Sequence, residues 1–446
     1  MAGACSSPDL MVLDPVLAVD LTGTAPGPQW VSIECASKEA YGCGEHGKKL
    51  LEGLALYVRR LGRANLNSTL SIRLSEAAVR SIQAELGVPL AFQGLHEISL
   101  PLVDGFIKVA DRGVLVLLVT FSRWHHGPRV YHLVYDAGDA SLYMIPDIPA
   151  HLEPAYAVAP VPARPAGCRG HELALASRLV WLEPGDAEQG RLCVCTPETR
   201  ANNLVPDGNG PWAIKTHCTP ELGQAFKTHV IFSHGDKVFW ADLSQGVVFS
   251  DLRQDDGSVV GTRFVSLPDG YTIDYSKQPV KEPVKMTRTM GCVEGSIKFV
   301  CIKRGDTSRS GEDETMVMVW TLDLEHEQWK EDWFFTCSWE GLWMQSCFMN
   351  GVLDIIKPLE PQYPLLMPNG DLCFLLPKTR HRKMYSKVKK TDYICSFDML
   401  NKCCRSFGQI RSHHLINLVI LPYTFFKDCY PAQKRKPSTL KRKLPS

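Results

Sequence analysis

Four stretches of this sequence share one grammar: an apolar run of strand length, an aspartate, a turn, and a second such run. They are YHLVYDAGDASLYMIP from Tyr131, VFWADLSQGVVFSDL from Val238, VMVWTLDLEHEQWKED from Val317 and YICSFDMLNKCCRSF from Tyr393. In the second, Gly235 to Leu252 alternates apolar and polar residues, breaks at Ser-Gln-Gly and alternates again, as a β-hairpin does. Asp136, Asp242, Asp323 and Asp398 end the first strand of each hairpin, where a short carboxylate accepts turn N–H groups, so they read as turn residues rather than catalysts. GRLCVCTPETRANNLVP is a degenerate fifth copy, with Thr196 in the aspartate's place.

A further strand or strand pair precedes most hairpins, starting at Gly105, His171, Gly295 and Gly370, so the repeating unit has about four strands. The positions 136, 196, 242, 323 and 398 are separated by 60, 46, 81 and 75 residues, against about 40 to 50 for common propeller blades. Apparent insertions at Asp269 to Arg288, Arg304 to Glu314 and Lys378 to Lys390 account for the long gaps. Four-stranded units arranged radially leave only short exposed edges. The expected fold is therefore all-β, a β-propeller of about five or six four-stranded blades.

The N-terminal region reads differently. Lys48 to Leu61 carries Leu50, Leu51, Leu54, Val58 and Leu61 at helical spacing, and Ser75 caps a second helix with Val79, Ile82 and Leu86 inward before Gly87 and Pro89. Flanking strands at Leu10 to Leu21 and Trp30 to Cys35 complete another blade. The expected division is a strand and helix region at 1–97, the propeller at 98–426, and a basic tail at 427–446, disordered by composition.

The 446 residues carry 49 basic and 48 acidic side chains, a formal charge of +1, so no global field draws the chain to nucleic acid or membrane. Hydrophobic residues at 45% and charged residues at 22% are ordinary for a globular protein. The N-terminus lacks a basic n-region, the longest apolar runs are too short to span a bilayer, and the sixteen cysteines read as buried thiols. A cytoplasmic or nuclear location follows as the expectation, without a membrane or a specific nucleic-acid partner.

VFWADLSQGVVFSDL followed by TRFVSLPDG resembles a plant family, abundant in grasses, named domain of unknown function 1618. The matching positions are Trp240, Asp242, Leu243, Gly246, Asp251, Phe264, Val265, Leu267 and Pro268. MGCVEGSIKFVCI and VWTLDLEHEQW extend the likeness, which covers roughly Leu100 to Phe426. The resemblance implies kinship with the β-propellers that follow F-boxes, and it implies no catalytic residue.

The chemical motifs are few. GCGEHGKK, Gly42 to Lys49, has most of a P-loop but places Lys49 where a Mg²⁺-binding hydroxyl belongs. Cys193 and Cys195 share one face of a strand, Cys403 and Cys404 point to opposite faces, and no C-x-x-C pair occurs, so structural thiols are favoured over zinc. No G-x-S-x-G elbow is present. No catalytic, cofactor-binding or metal-binding residue is assigned, and no cofactor is expected.

Two stretches have the composition of recognition loops: SRWHHGPR, with Arg123, Trp124, His125, His126 and Arg129, and SWEGLWMQ, with Trp343. In the tail, Lys434, Arg435 and Lys436 and then Lys441, Arg442 and Lys443 form two basic clusters suited to an import receptor. The leading expectation is a non-enzymatic scaffold that binds an unknown protein, as an F-box-associated module does. The alternative is an intracellular hydrolase with carboxylates at the propeller mouth.

Overall fold

The computed structural model describes residues 10–21, 27–59, 66–86, 103–122, 128–148, 156–157, 159–164, 174–180, 189–201, 210–218, 226–255, 259–275, 282–304, 314–350, 359–377, 392–410 and 418–426. These residues build an all-β propeller with few helices. It has seven blades rather than five or six.

Blade one orders its strands Ala18–Asp20, Leu70–Leu74, Leu54–Arg59, Trp30–Ser32. Blade two runs Val103–Asp111, Val114–Phe121, Arg129–Asp136, Ser141–Pro146, with Ser37–Ala40 added in parallel outside. Blade three is Val161–Ala163, Ala174–Val180, Gln189–Cys195, Ala213–Cys218, and blade four is Val230–His234, Lys237–Asp242, Gly246–Asp255, Val259–Ser266. A short parallel pairing, Thr216 with Val259 and His217 with Val260, joins these two into one hydrogen-bonded sheet. Blade five is Arg288–Val293, Ser296–Lys303, Met316–Asp323, Gln328–Glu331, and blade six is Gln362–Leu366, Leu372–Leu376, Asp392–Asp398, Cys403–Ile410. In blade seven Leu10–Leu13 sits between Val419–Pro422, antiparallel, and Asn67–Ser68, parallel.

The extra blade comes from the N-terminal region, whose strands divide among three sheets instead of completing one. The same segment corrects a helix. A helix runs Gly44–Glu52 and stops at Gly53, and Leu54–Arg59 is a strand whose alternate residues are buried. Leu54 and Val58 therefore share a strand face, because a spacing of four satisfies both periods. A Cβ on Gly53 would lie 2.4 Å from the Ser75 hydroxyl and 2.6 Å from Ala78, so only glycine lets the second helix approach. Ser75 caps that helix, Glu76–Leu86, through a bond from Ala78 N–H to Oγ at 3.2 Å, as expected.

Inner strands are buried on both faces, which overrides simple alternation. Val238, Phe239, Trp240 and Ala241 are all fully buried. Because successive side chains point to opposite faces, Phe239 joins the core shared with blade five and Trp240 the core shared with blade three. Trp320 lies in the same core as Phe239, so both tryptophans are packed between blades. Each such side chain contributes about 1.5 to 3 kcal/mol.

The turn residues act as their sequence positions imply. Asp136 Oδ1 accepts the Gly138 N–H at 2.8 Å, Asp242 Oδ1 that of Ser244 at 2.8 Å, Asp323 Oδ1 that of Glu325 at 3.2 Å, and Asp398 Oδ1 that of Leu400 at 3.0 Å. Thr196 differs: its Oγ1 accepts the Thr199 N–H, three residues on, at 3.2 Å and opens the short helix Pro197–Ala201 in place of a tight hairpin turn.

One copy is out of phase. Asp136, Thr196, Asp323 and Asp398 follow the third strand of their blades, whereas Asp242 follows the second strand of blade four. In an up-and-down sheet those two turns lie at opposite ends. The third strand of blade four ends at Asp255, and the positions 136, 196, 255, 323 and 398 are separated by 60, 59, 68 and 75 residues, a far more even period.

Candidate functional site

The inner strands of blades two to seven surround a central cavity of about 1380 Å³. Among the described residues two carboxylates line it, Asp111 at the end of the first strand of blade two and Asp136 at the end of the third. Both are committed to protein donors. Asp111 Oδ2 accepts from the Ser233 N–H at 3.1 Å and the Ser233 hydroxyl at 2.7 Å, which ties blade two to blade four. Arg112 Nη2 donates to the same hydroxyl at 2.6 Å. Burial pushes the Asp111 carboxyl up, against the Arg112 charge and the Ser233 bonds. Asp136 receives Gly138 N–H on one oxygen and Arg164 Nη2, at 2.6 Å, on the other.

A glycosidase-type pair needs one carboxyl to give a proton and the other to activate water or attack. Here both Asp136 oxygens are occupied by protein donors and Asp111 serves as an inter-blade acceptor. Among the described residues no group of three or more His, Cys, Asp and Glu side chains is arranged to hold a metal ion. Cys193 and Cys195 are fully buried in the core between blades two and three, and the Cys404 thiol faces the Ser406 carbonyl at 3.4 Å.

Among the described residues, the most exposed aromatic pair lies at the outer edge of blade five. Gln328–Glu331 pairs with the end of Met316–Asp323, and Cys337–Ser338 pairs with its beginning. Between them the chain leaves the edge over Asp332 to Thr336. Val319 fixes both feet: its carbonyl accepts the Asp332 N–H at 2.8 Å, and its N–H donates to Thr336 Oγ1 at 3.2 Å. Within the excursion the Asp332 carbonyl accepts the N–H groups of Phe335 at 3.0 Å and Thr336 at 2.9 Å.

A partly buried ion pair sits beneath. Lys298 Nζ donates to Asp332 Oδ2 at 2.8 Å and lies 4.2 Å from the Phe335 ring centroid, so the cation holds both the acid and the ring. Thr321 Oγ1 donates to the same carboxylate at 3.2 Å. With Phe335 turned inward, Trp333 and Phe334 project outward, 75% and 84% exposed. The sequence signal for this pair is the run Asp-Trp-Phe-Phe directly after the charged Lys330 and Glu331, an aromatic cluster in a hydrophilic edge.

The residues expected at recognition loops fare differently. SWEGLWMQ is not a loop, because Trp339–Asn350 is a helix. Trp343 is only 2% exposed and packs on Trp339, with centroids 5.7 Å apart, in the core between blades five and six, so it is a packing residue and not a surface contact. Trp339 fills that core against Phe374 and Phe397 and donates from Nε1 to the Leu359 carbonyl at 3.0 Å. Arg129 opens the third strand of blade two, half-buried, on a different part of the ring from Trp343. Arg123, Trp124, His125 and His126 lie outside the described residues, as do the import candidates Lys434, Arg435, Lys436, Lys441, Arg442 and Lys443.

GCGEHGKK opens the helix Gly44–Glu52 beside the outermost strand of blade two, and Lys48 pairs with Glu45 at 3.1 Å. No helix among the described residues is long and apolar enough to cross a membrane.

The sequence profile of a family described as a protein of unknown function (DUF1618) matches residues 240–373, from the second strand of blade four to the second strand of blade six. No curated protein matches. Among solved structures, the chain is similar to the β-propeller domain of the Trilobed protease from Pyrococcus furiosus, at 9% identity and a TM-score of 0.30, over 64% of this chain and 65% of that one. It is also similar to HIRA(644-1017), at 10% identity and a TM-score of 0.21, over 57% of each chain. The chain spans less than two thirds of the length of either structure.

Proposed function

We propose that this protein is a non-enzymatic scaffold that binds a protein partner, with Trp333 and Phe334 at the centre of its docking surface. The single observation that carries the reading is the anchored excursion: two large aromatic side chains are held out into solvent by a turn whose feet, carboxylate and third ring are all fixed. An aromatic pair preorganised in this way loses little conformational freedom on binding, and Trp is among the residues that dominate interface energies. The shape calls for a partner that offers an apolar pocket to two projecting rings.

Kinship with F-box-associated propellers, the implication of the family resemblance, supports a recognition role in protein turnover. The cytoplasm or nucleus is the proposed compartment. A hydrolase is supported less well, because Asp111 and Asp136 are each engaged by neighbouring donors.

The test compares the wild type with a Trp333→Ala/Phe334→Ala variant against a partner identified by affinity purification and then purified. Expected is a loss of affinity of at least about tenfold with an unchanged melting temperature, since each tenfold is about 1.4 kcal/mol. Equal affinity in both proteins overturns the assignment.

A further inference from the structure

Three blades meet around one thiol at the cavity wall. Cys292, on the first strand of blade five, lines the cavity and is partly exposed, and its Sγ lies 3.4 Å from Nδ1 of His234, the last residue of the first strand of blade four. The residue before His234 is Ser233, which Asp111 and Arg112 of blade two grip at 2.7 Å and 2.6 Å. The imidazole is thus carried on a backbone position fixed from a second blade. Cys35, Cys337 and Cys403 are also partly exposed, but among the described residues none of them has an imidazole within hydrogen-bond distance.

We propose that Cys292 and His234 form a nucleophile and base pair that makes this cavity a covalent acceptor site for a soft carbon electrophile, an α,β-unsaturated carbonyl compound. His234 Nδ1 takes the proton from Sγ as the sulfur forms a bond to the β-carbon. The π pair of the carbon–carbon double bond moves to the carbonyl as an enolate, and the imidazolium returns the proton to the α-carbon. All atoms are retained and no oxidant or leaving group is required. The guanidinium of Arg112, whose charge acts on both side chains, is the positive group available to the enolate.

The electrostatics suit transfer during bond formation rather than a standing thiolate. Burial pushes the Cys292 thiol up and Asp111 adds to this, while Arg112 and a bond from the Gly295 backbone oppose it. Burial holds His234 below the ordinary imidazole range, helped by the charges of Arg112 and Lys237, the latter itself paired with Asp251 at 2.5 Å. The upward shift of the thiol and the downward shift of the imidazole favour a protonated sulfur beside a neutral ring, whose Nε2–H tautomer presents the Nδ1 lone pair to the S–H. Reactivity then depends on neutral His234, not on the thiolate fraction.

N-ethylmaleimide is the probe, with adduct formation at Cys292 followed by peptide mass spectrometry on the full chain. Expected is a rate that is nearly flat between about pH 6.5 and 8, where a simple thiol well below its pKa gains about tenfold per unit. His234→Ala should lower the rate at pH 7 at least about tenfold and restore the steep pH dependence, and His234→Gln should do the same if Ala perturbs folding. Cys292→Ser should remove the adduct. A wild-type rate that climbs tenfold per pH unit, or one unchanged by both His234 variants, overturns the proposal.

Discussion

The carboxylate of Asp398 and the guanidinium of Arg405 face each other across the last turn of blade six, with Oδ2 2.5 Å from Nη2. Arg405 Nε also reaches Asp371 Oδ1 at 3.2 Å, so one cation serves two acids. Burial alone would push Asp398 up, but the Asn401 amide and backbone N–H, then Arg405, bring it to about 2.

A depressed carboxylate stabilises the fold above its unfolded pKa, near about 3.9, and that stability is lost as pH falls through the folded value. Urea midpoints measured from pH 5 to 2 should therefore fall more steeply in the wild type than in Asp398→Asn. Burial shifts Asp371 upward, the opposite direction, and the Asp398 charge adds to that shift, so the difference between the two proteins reads Asp398 together with its coupling to Asp371 through Arg405. Parallel curves would contradict the assignment.

Trp240 is fully buried between blades three and four, and Trp320 is 6% exposed between blades four and five. Replacement of either by Ala leaves a cavity in a different core, at a cost of about 3 to 5 kcal/mol each. Thermal melting should show both losses, and melting unchanged in both variants would remove the inter-blade placement.

Gly246 starts the third strand of blade four opposite Ser266. A Cβ there would lie 2.2 Å from the Val265 carbonyl oxygen and 2.7 Å from the Phe264 ring, and the carbonyl cannot move without breaking the ladder. Gly246→Ala should destabilise more than Gly261→Ala, where a Cβ meets nothing within 4 Å. Equal denaturation midpoints for the two would show that the strand pair yields at no cost.

The fold class was legible because strand, acid, turn, strand recurs and each acid does bind turn N–H groups. The phase of the repeat was harder to read. Asp242 has the local chemistry of the other turn aspartates, and nothing local distinguishes a turn after a second strand from one after a third. Strand pairing alone reveals that Asp255 is the phase-matched position. Leu54 and Val58 misled because a spacing of four fits a helix and a strand equally. Trp343 and Trp333 are both aromatic residues near charged neighbours, and only the helix Trp339–Asn350 and the Val319 clamp put one inside and the other outside. Cys292 and His234 are 58 positions apart, beyond what spacing can pair.

The basic clusters at 434–436 and 441–443 carry six cations and no acid between them. Removal of residues 433–446 should leave thermal melting unchanged and lower the nuclear share of a protein tagged to exceed the passive limit of the pore. Identical distributions of the two proteins would rule out import through this segment.

Site-specific photocrosslinking tests the docking surface most directly. A benzophenone side chain would replace Phe334 in one protein and Leu400, a 66% exposed apolar residue on the last turn of blade six, in another. One recurrent protein adduct is expected from position 334, suppressed by Trp333→Ala, and none of that mass from position 400. The same adducts from both positions, or none from 334, would contradict it.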